Sequence, residues 1–267
     1  MTDTLLSETA LLDFRAPEIQ ALIQNRGWRD VPVYDRIGAA YDFVQNDILF
    51  GYNAKDALPA SRVLQDGYGQ CNTKTTLLMA LLRALDVRCR LHGFTVHKRI
   101  QRGVVPEVIY RIAPSRVLHS WVEVHYEDHW VTLEGFILDR AAVTALQDAF
   151  PERTSLCAYG AGTDCLRSPK IDWQGSDTFI QSSGIESDLG VFDAPDDFFA
   201  AYSQLTGFQG VLYRYAIRHW MNRRVAMIRG GRVPHIPGGE RALDPHVRRS
   251  ENTADSAVAT RRESYGP

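Results

Sequence analysis

The turn Gly67-Tyr68-Gly69 leads, one residue later, into Cys71 and the clearest helix of the chain, Asn72 to Leu85. Leu77, Leu78, Leu81, Leu82 and Leu85 fall on one face of that helix, with Asn72, Thr73, Thr75, Thr76 and Arg83 on the polar side. Three strand-like stretches follow, VRCRLHGFTVH, SWVEVHY and HWVTLEGF, with IYRIA as a further strand signal. A helix followed by successive strands, with no helix between them, predicts an α+β fold with an antiparallel sheet.

The chemistry gathers at the helix start. The first N–H groups of a helix lack intrahelical partners, and the macrodipole adds partial positive charge there. Both favour a thiolate at Cys71, and the thiolate is the nucleophile. The flanking Gly67 and Gly69 allow a sharp bend and leave room near the sulfur. A nucleophilic cysteine needs a base, and the base needs an orienting partner. Alternation puts His119, Trp121, Glu123 and His125 on one strand face and Val122, Val124 and Tyr126 on the other. With Glu127-Asp128 as a two-residue turn, Tyr126 pairs with His129, and His119 and Glu134 become diagonal neighbours on one face.

These residues carry a resemblance. DGYGQCNTKTTLLMALLRALDVRCRLHGF resembles the cysteine motif of the transglutaminase-like superfamily, and HSWVEVHYEDHWVTLE its histidine and acid motifs. YDFVQNDILFGYN looks like the segment that precedes the cysteine, so the likeness spans about residues 33–140. It implies a papain-like arrangement, a helix bearing Cys71 packed on an antiparallel sheet bearing His119 and the acid. It also implies amide hydrolysis or acyl transfer through a Cys71 thioester, with His119 as acid and base. The substrate would be a peptide, a protein or a small amide. The family pattern has Asp-Pro at the acid position where this chain has Glu134-Gly135, so Glu134 is the expected acid and Asp139 the fallback. That departure also motivates the alternative, a binding module of the same fold that no longer turns over. For the oxyanion the Cys71 N–H is the first donor; Gln65, at a papain-like spacing, is the expected second, with Gln70 and Trp121 competing.

Other features define what to expect elsewhere. Eight histidines show no ligand spacing, so no metal is expected, and nothing calls for a cofactor. Four cysteines without a Cys-x-x-Cys pair suggest reduced thiols, and no secretory signal or spanning run of roughly 18–20 residues is evident, so a cytoplasmic location is expected. Cys89 reads as core. HKRIQR, 97–102, reads as a solvated hairpin. The net charge of −2 hides an asymmetry: residues 210–267 hold eleven Arg against five Asp or Glu. With no nucleic-acid motif beside it, that charge is expected on a docked helix rather than a nucleic-acid or membrane surface. The expected organisation is one domain over 1–230, with a catalytic core near 33–140, an accessory region over 141–230 and a disordered tail over 231–267. Residues 154–192 read as irregular and 173–198 as a loop suited to substrate selection. Oligomeric state is not legible.

Overall fold

The computed structural model describes residues 3–202, 207–238 and 243–244. Helix α1 (Pro17–Arg26) begins at a proline, because Pro at the first helical position gives up an N–H that would have no partner anyway. Next come α2 (Val33–Asn46), the short strand β1 (Leu49–Phe50), α3 (Ala60–Asp66) and β2 (Tyr68–Gly69), which pairs in parallel with β1. Helix α4 (Cys71–Ala84) then runs into β3 (Cys89–His97). After α5 (Glu107–Ile112) come β4 (Arg116–Tyr126) and β5 (His129–Leu133), then α6 (Arg140–Ala149) and the small hairpin of β6 (Leu156–Ala158) and β7 (Ala161–Thr163). The last elements are β8 (Ile185–Phe192), α7 (Pro195–Ala201), α8 (Gly207–Leu212), a π-helical turn over Tyr213–Ile217 and α9 (Arg218–Arg229).

The main sheet has the order β5-β4-β3-β8 and is antiparallel throughout, as the run of strands after α4 requires. Tyr126 pairs with His129 across Glu127 and Asp128, both at positive φ (46° and 63°), the backbone a two-residue hairpin with right-handed strand twist needs.

Helix α4 is the centre of the molecule rather than an amphipathic cover. Every residue from Asn72 to Ala84 is buried. Its leucines Leu77, Leu78, Leu81 and Leu82 are fully enclosed, each contributing about 1.5–3 kcal/mol by burial. The polar side is enclosed too, and it is satisfied by hydrogen bonds rather than water. Thr75 Oγ1 donates to the Ser120 carbonyl (3.1 Å), Asn72 Nδ2 to that of Leu118 (3.3 Å), and Ser120 Oγ to Asn72 Oδ1 (2.9 Å). Arg83 donates to the carbonyls of Ser7, Cys89 and Asp193. These bonds fix α4 against β4 in one register, since a slip would leave buried polar groups unpaired.

Several local expectations give way to tertiary context. IYRIA lies mostly in α5, a short helix begun after Pro106, with Ile109 and Tyr110 packed against the core and Ile112 exposed. Residues 154–192 are not irregular throughout: they include the β6–β7 hairpin and β8, which completes the sheet as the outer neighbour of β3. HKRIQR is not a solvated hairpin. It forms a 3-10 turn with Arg99 and Ile100 buried. Of the expected tail, residues 231–238 and 243–244 are described, and Ile236 and Leu243 in them are buried; the remainder lies outside the described residues. The basic C-terminal helix docks through Met221, Val225 and Ile228. Its Arg229 forms a fork on Asp139, at 3.0 Å and 2.7 Å.

Candidate active site

Cys71 is the first residue of α4, partly exposed on a cavity of about 370 Å³ that His119 also lines. The approach to it is tightly built. Gly69 has no room for a side chain: a Cβ there would lie 2.7 Å from Thr73 Oγ1. Thr73 Oγ1 accepts the Gln70 N–H (3.1 Å) and donates to Asn53 Oδ1 (2.6 Å), so one hydroxyl ties the turn to the helix.

His119 is fully buried in the middle of β4. Its Nε2 lies 2.9 Å from Oε1 of Glu134, which is also fully buried. The other carboxylate oxygen accepts the backbone N–H groups of Ile180 (2.9 Å) and Gln181 (3.0 Å). Thr178 Oγ1 accepts the N–H groups of both Glu134 and Gly135, each at 3.1 Å. Gly135 is required by crowding, since a Cβ would fall 2.7 Å from the Ile171 Cα and 2.5 Å from the Tyr41 hydroxyl. The acid is therefore held at both oxygens and at its backbone.

With an ionised carboxylate on Nε2, that nitrogen carries a proton and Nδ1 is left for other work. Nδ1 is buried without an oxygen or nitrogen partner. Burial alone would lower the imidazole pKa. The charge of Cys71, hydrogen bonding to it, and Glu134 together outweigh burial and raise His119 to about 10. The imidazolium is thus the favoured form when the sulfur is a thiolate.

Two of the expected site residues sit elsewhere. Gln65 is exposed on α3, and its Nε2 donates to Glu18 Oε1 (2.7 Å); it does not line the cavity, because the α3 helix turns it outward. Asp139 caps α6 by accepting the Ala142 N–H, and it also accepts the Phe50 N–H and the Arg229 fork, so it is occupied away from His119. Of the competing donors, Gln70 lines the cavity next to Cys71, while Trp121 is packed against Phe94, ring centroids 4.0 Å apart, its indole N–H unpartnered. Gln70 is held at both ends: its Oε1 accepts the Asn53 N–H (2.9 Å) and its Nε2 donates to Asp56 Oδ1 (2.9 Å). That leaves one amide hydrogen of Gln70 unspent. Asp56 lines the same cavity and its carboxyl is raised by burial.

The supports that sequence reasoning missed are the Ile180 and Gln181 amides. Backbone donors carry no side-chain signature, and only the return of that segment past β5 brings them to Glu134. Cys89 is fully buried, as expected of a core thiol. No group of three or more His, Cys, Asp or Glu arranged to hold a metal occurs among the described residues, and none of their helices is long and apolar enough to cross a membrane.

Residues 22–135, which contain Cys71, His119 and Glu134, match the model of the Transglutaminase-like superfamily. A search of curated proteins finds no match. Among solved structures, a Cytophaga hutchinsonii protein provisionally named as a cysteine protease aligns at 12% identity with a TM-score of 0.44. The alignment covers 72% of this chain and 47% of that one, so the chain spans about half the length of that protein.

Proposed function

We propose, from the premise that residues 22–135 form a transglutaminase-like core, that this protein is a cysteine enzyme acting on amides through an acyl-enzyme at Cys71. The observation that carries the proposal is the buried Glu134–His119 pair, 2.9 Å apart, opening onto the same cavity as a cysteine at a helix N-terminus. A buried carboxylate and imidazole aimed at a third polar group have the arrangement of a catalytic triad.

The chemistry balances with these groups alone. The Cys71 thiolate attacks the substrate carbonyl carbon, forming a C–S bond and placing negative charge on the oxygen. The Cys71 N–H, unpaired at the helix start, is one donor for that oxyanion, and the spare amide hydrogen of Gln70 is the second. As the C–N bond breaks, the His119 imidazolium gives its Nδ1 proton to the departing amine. Water then attacks the thioester, His119 takes a proton from it, and the C–S bond breaks to release the acid and restore the thiolate. An incoming amine would resolve the thioester in the same way, giving transamidation. Hydrolysis is the reading adopted, since water needs no binding site of its own. Glu134 stabilises the imidazolium and fixes its tautomer throughout, and its extra methylene relative to Asp is accommodated because it reaches His119 at hydrogen-bonding distance. We take residues 1–230 as the unit that performs this, with the region after residue 140 completing the cavity wall.

The test is an amide and ester substrate screen with wild type and Cys71→Ala, followed by mass spectrometry. An acyl adduct on Cys71, absent from the variant, is the expected result. Turnover that survives Cys71→Ala unchanged would end the proposal.

A further inference from the structure

The cavity beside Cys71 is walled by apolar side chains, among them Val96, Ile100, Val105, Val117, Leu118 and Met221. At its mouth lies a second recess of about 350 Å³, and Ala54, Lys55 and Arg214 line both. The recess has a different chemistry. Lys55, Arg62, Arg214 and Arg218 line it, against one carboxylate, Asp66. Asp66 is already committed to Arg62 at 2.9 Å. Arg218 spends its guanidinium on the Tyr68 hydroxyl and the Arg214 carbonyl, both uncharged. Lys55 and Arg214 are exposed and form no ion pair among the described residues; Asp56, which lines the cavity with them, takes the Gln70 amide instead. Such a surplus of positive charge stands out because residues 1–209 together carry about eight more acidic than basic groups. Arg214 also sits in the π-helical turn Tyr213–Ile217, whose Tyr213, Arg214 and Ile217 all line the cavity. A π turn inside a helix widens the backbone and re-aims side chains, and it is commonly found where side chains serve a site.

We propose that the substrate is an amphipathic acyl compound whose apolar acyl group fills the cavity and whose leaving half bears an anionic group, a carboxylate or a phosphate, bound by Lys55 and Arg214. This rests on the acyl-enzyme reading above. The acyl group belongs in the enclosed space because it must wait on Cys71 while the leaving half departs. The leaving half belongs in the recess because that side is open to solvent. Arginine suits the anion through its planar fork and lysine as a point charge. In the reaction the Cys71–acyl C–S bond forms, the bond from the acyl carbon to the leaving atom breaks, and the anionic half leaves with a proton from His119.

The experiment uses the full chain and thioester probes in matched pairs, with acylation of Cys71 followed by mass spectrometry. One pair is hexanoyl-pantetheine and hexanoyl-pantetheine 4′-phosphate; the other is the hexanoyl thioester of N-acetylcysteamine and that of 3-mercaptopropanoate. At least one anionic member should acylate Cys71 roughly tenfold or more faster than its neutral mate, which also distinguishes phosphate from carboxylate. That advantage should shrink as salt rises, and should collapse in Lys55→Ala with Arg214→Ala but persist in the distant control Arg167→Ala. Acetyl counterparts should react more slowly than hexanoyl ones. Equal rates within both pairs, or an anionic advantage that survives the double substitution, would overturn the anion site; acetyl probes as fast as hexanoyl ones would overturn the acyl cavity. If no probe acylates Cys71 while Cys71 is intact, the acyl-enzyme reading itself has failed, a result distinct from either.

Discussion

Glu134 holds His119 by one carboxylate oxygen at 2.9 Å while its other oxygen is anchored by the amides of Ile180 and Gln181. The carboxylate therefore has little freedom to choose another partner, and the imidazole beside it is fully buried at the wall of the cavity. A buried ion pair held this way costs desolvation energy, and the charge-assisted bonds around it offset that cost.

Replacing Glu134 by Gln should weaken the site strongly. The two backbone N–H groups will keep the amide oxygen, which turns the amide nitrogen toward Nε2 and opposes donor to donor. Acylation of Cys71 should fall by about 100-fold or more, in line with the general contribution of an oriented acid–base group. Glu134→Asp, which falls short by one methylene, should lose less. Single-turnover acylation measures both.

The pH dependence follows from the direction in which His119 is displaced. Its pKa is raised, so the imidazolium contributes stability that is complete below the ordinary His value near 6.5 and is lost as pH climbs through about 10. The alkaline limb of Cys71 acylation should lie near that upper value in wild type and move down in Glu134→Gln. A limb that stays in place would mean that the carboxylate does not hold the proton on the ring.

The two glutamines separate cleanly. Gln65→Ala removes an exposed contact to Glu18 and should leave acylation within about twofold of wild type, as expected for a surface substitution. Gln70→Ala should lower it by about 100-fold to 1000-fold, the range for loss of one oxyanion donor. Thermal melts of both variants would show whether Gln70→Ala loses activity through its ties to Asn53 and Asp56 instead.

The cysteines should differ in reactivity for reasons of environment. Burial pushes the Cys89 thiol up to about 11 and does the same at Cys157. Iodoacetamide at neutral pH should modify Cys71 well before either, with exposed Cys165 as the accessible reference. Peptide mapping reads the order, and a Cys71 slower than Cys165 would count against an activated sulfur.

Three residues after Cys71 in α4, Lys74 is fully buried, its Nζ donating to the carbonyls of Ile137 (3.0 Å) and Gln45 (3.3 Å). Burial lowers its pKa to about 7; Asp139 pulls it up and Arg229 presses it further down. A lowered lysine penalises the fold while both states are charged, below about 7, and the penalty fades as pH rises toward the unfolded value near 10.4. Wild type should therefore gain stability relative to Lys74→Met between pH 6 and pH 10. Chemical denaturation midpoints across that range provide the check, and a constant difference would refute it.

The local parts of this protein are legible in its amino-acid order. The Gly-rich entry to α4, the alternation of β4 and the two-residue turn at Glu127-Asp128 depend on short-range sterics and on a side-chain period of two, and together they put His119 within reach of Glu134. The family resemblance joins those parts to Cys71. Where sequence falls short, the deciding contact is distant in the chain. The polar side of α4 reads as a surface because burial is set by what packs on it, and β4 supplies the carbonyls that satisfy it. Spacing favours Gln65 over Gln70 as the second donor, but the turn between α3 and α4 leaves Gln65 exposed and puts Gln70 on the cavity. Segment 178–181 reads as loop, yet its backbone amides pin the acid, and α9 brings Arg229 to Asp139 from 90 residues away. Sequence by itself determined which groups could do chemistry; the tertiary structure decided which of them meet, because meeting depends on packing between elements that no local period encodes.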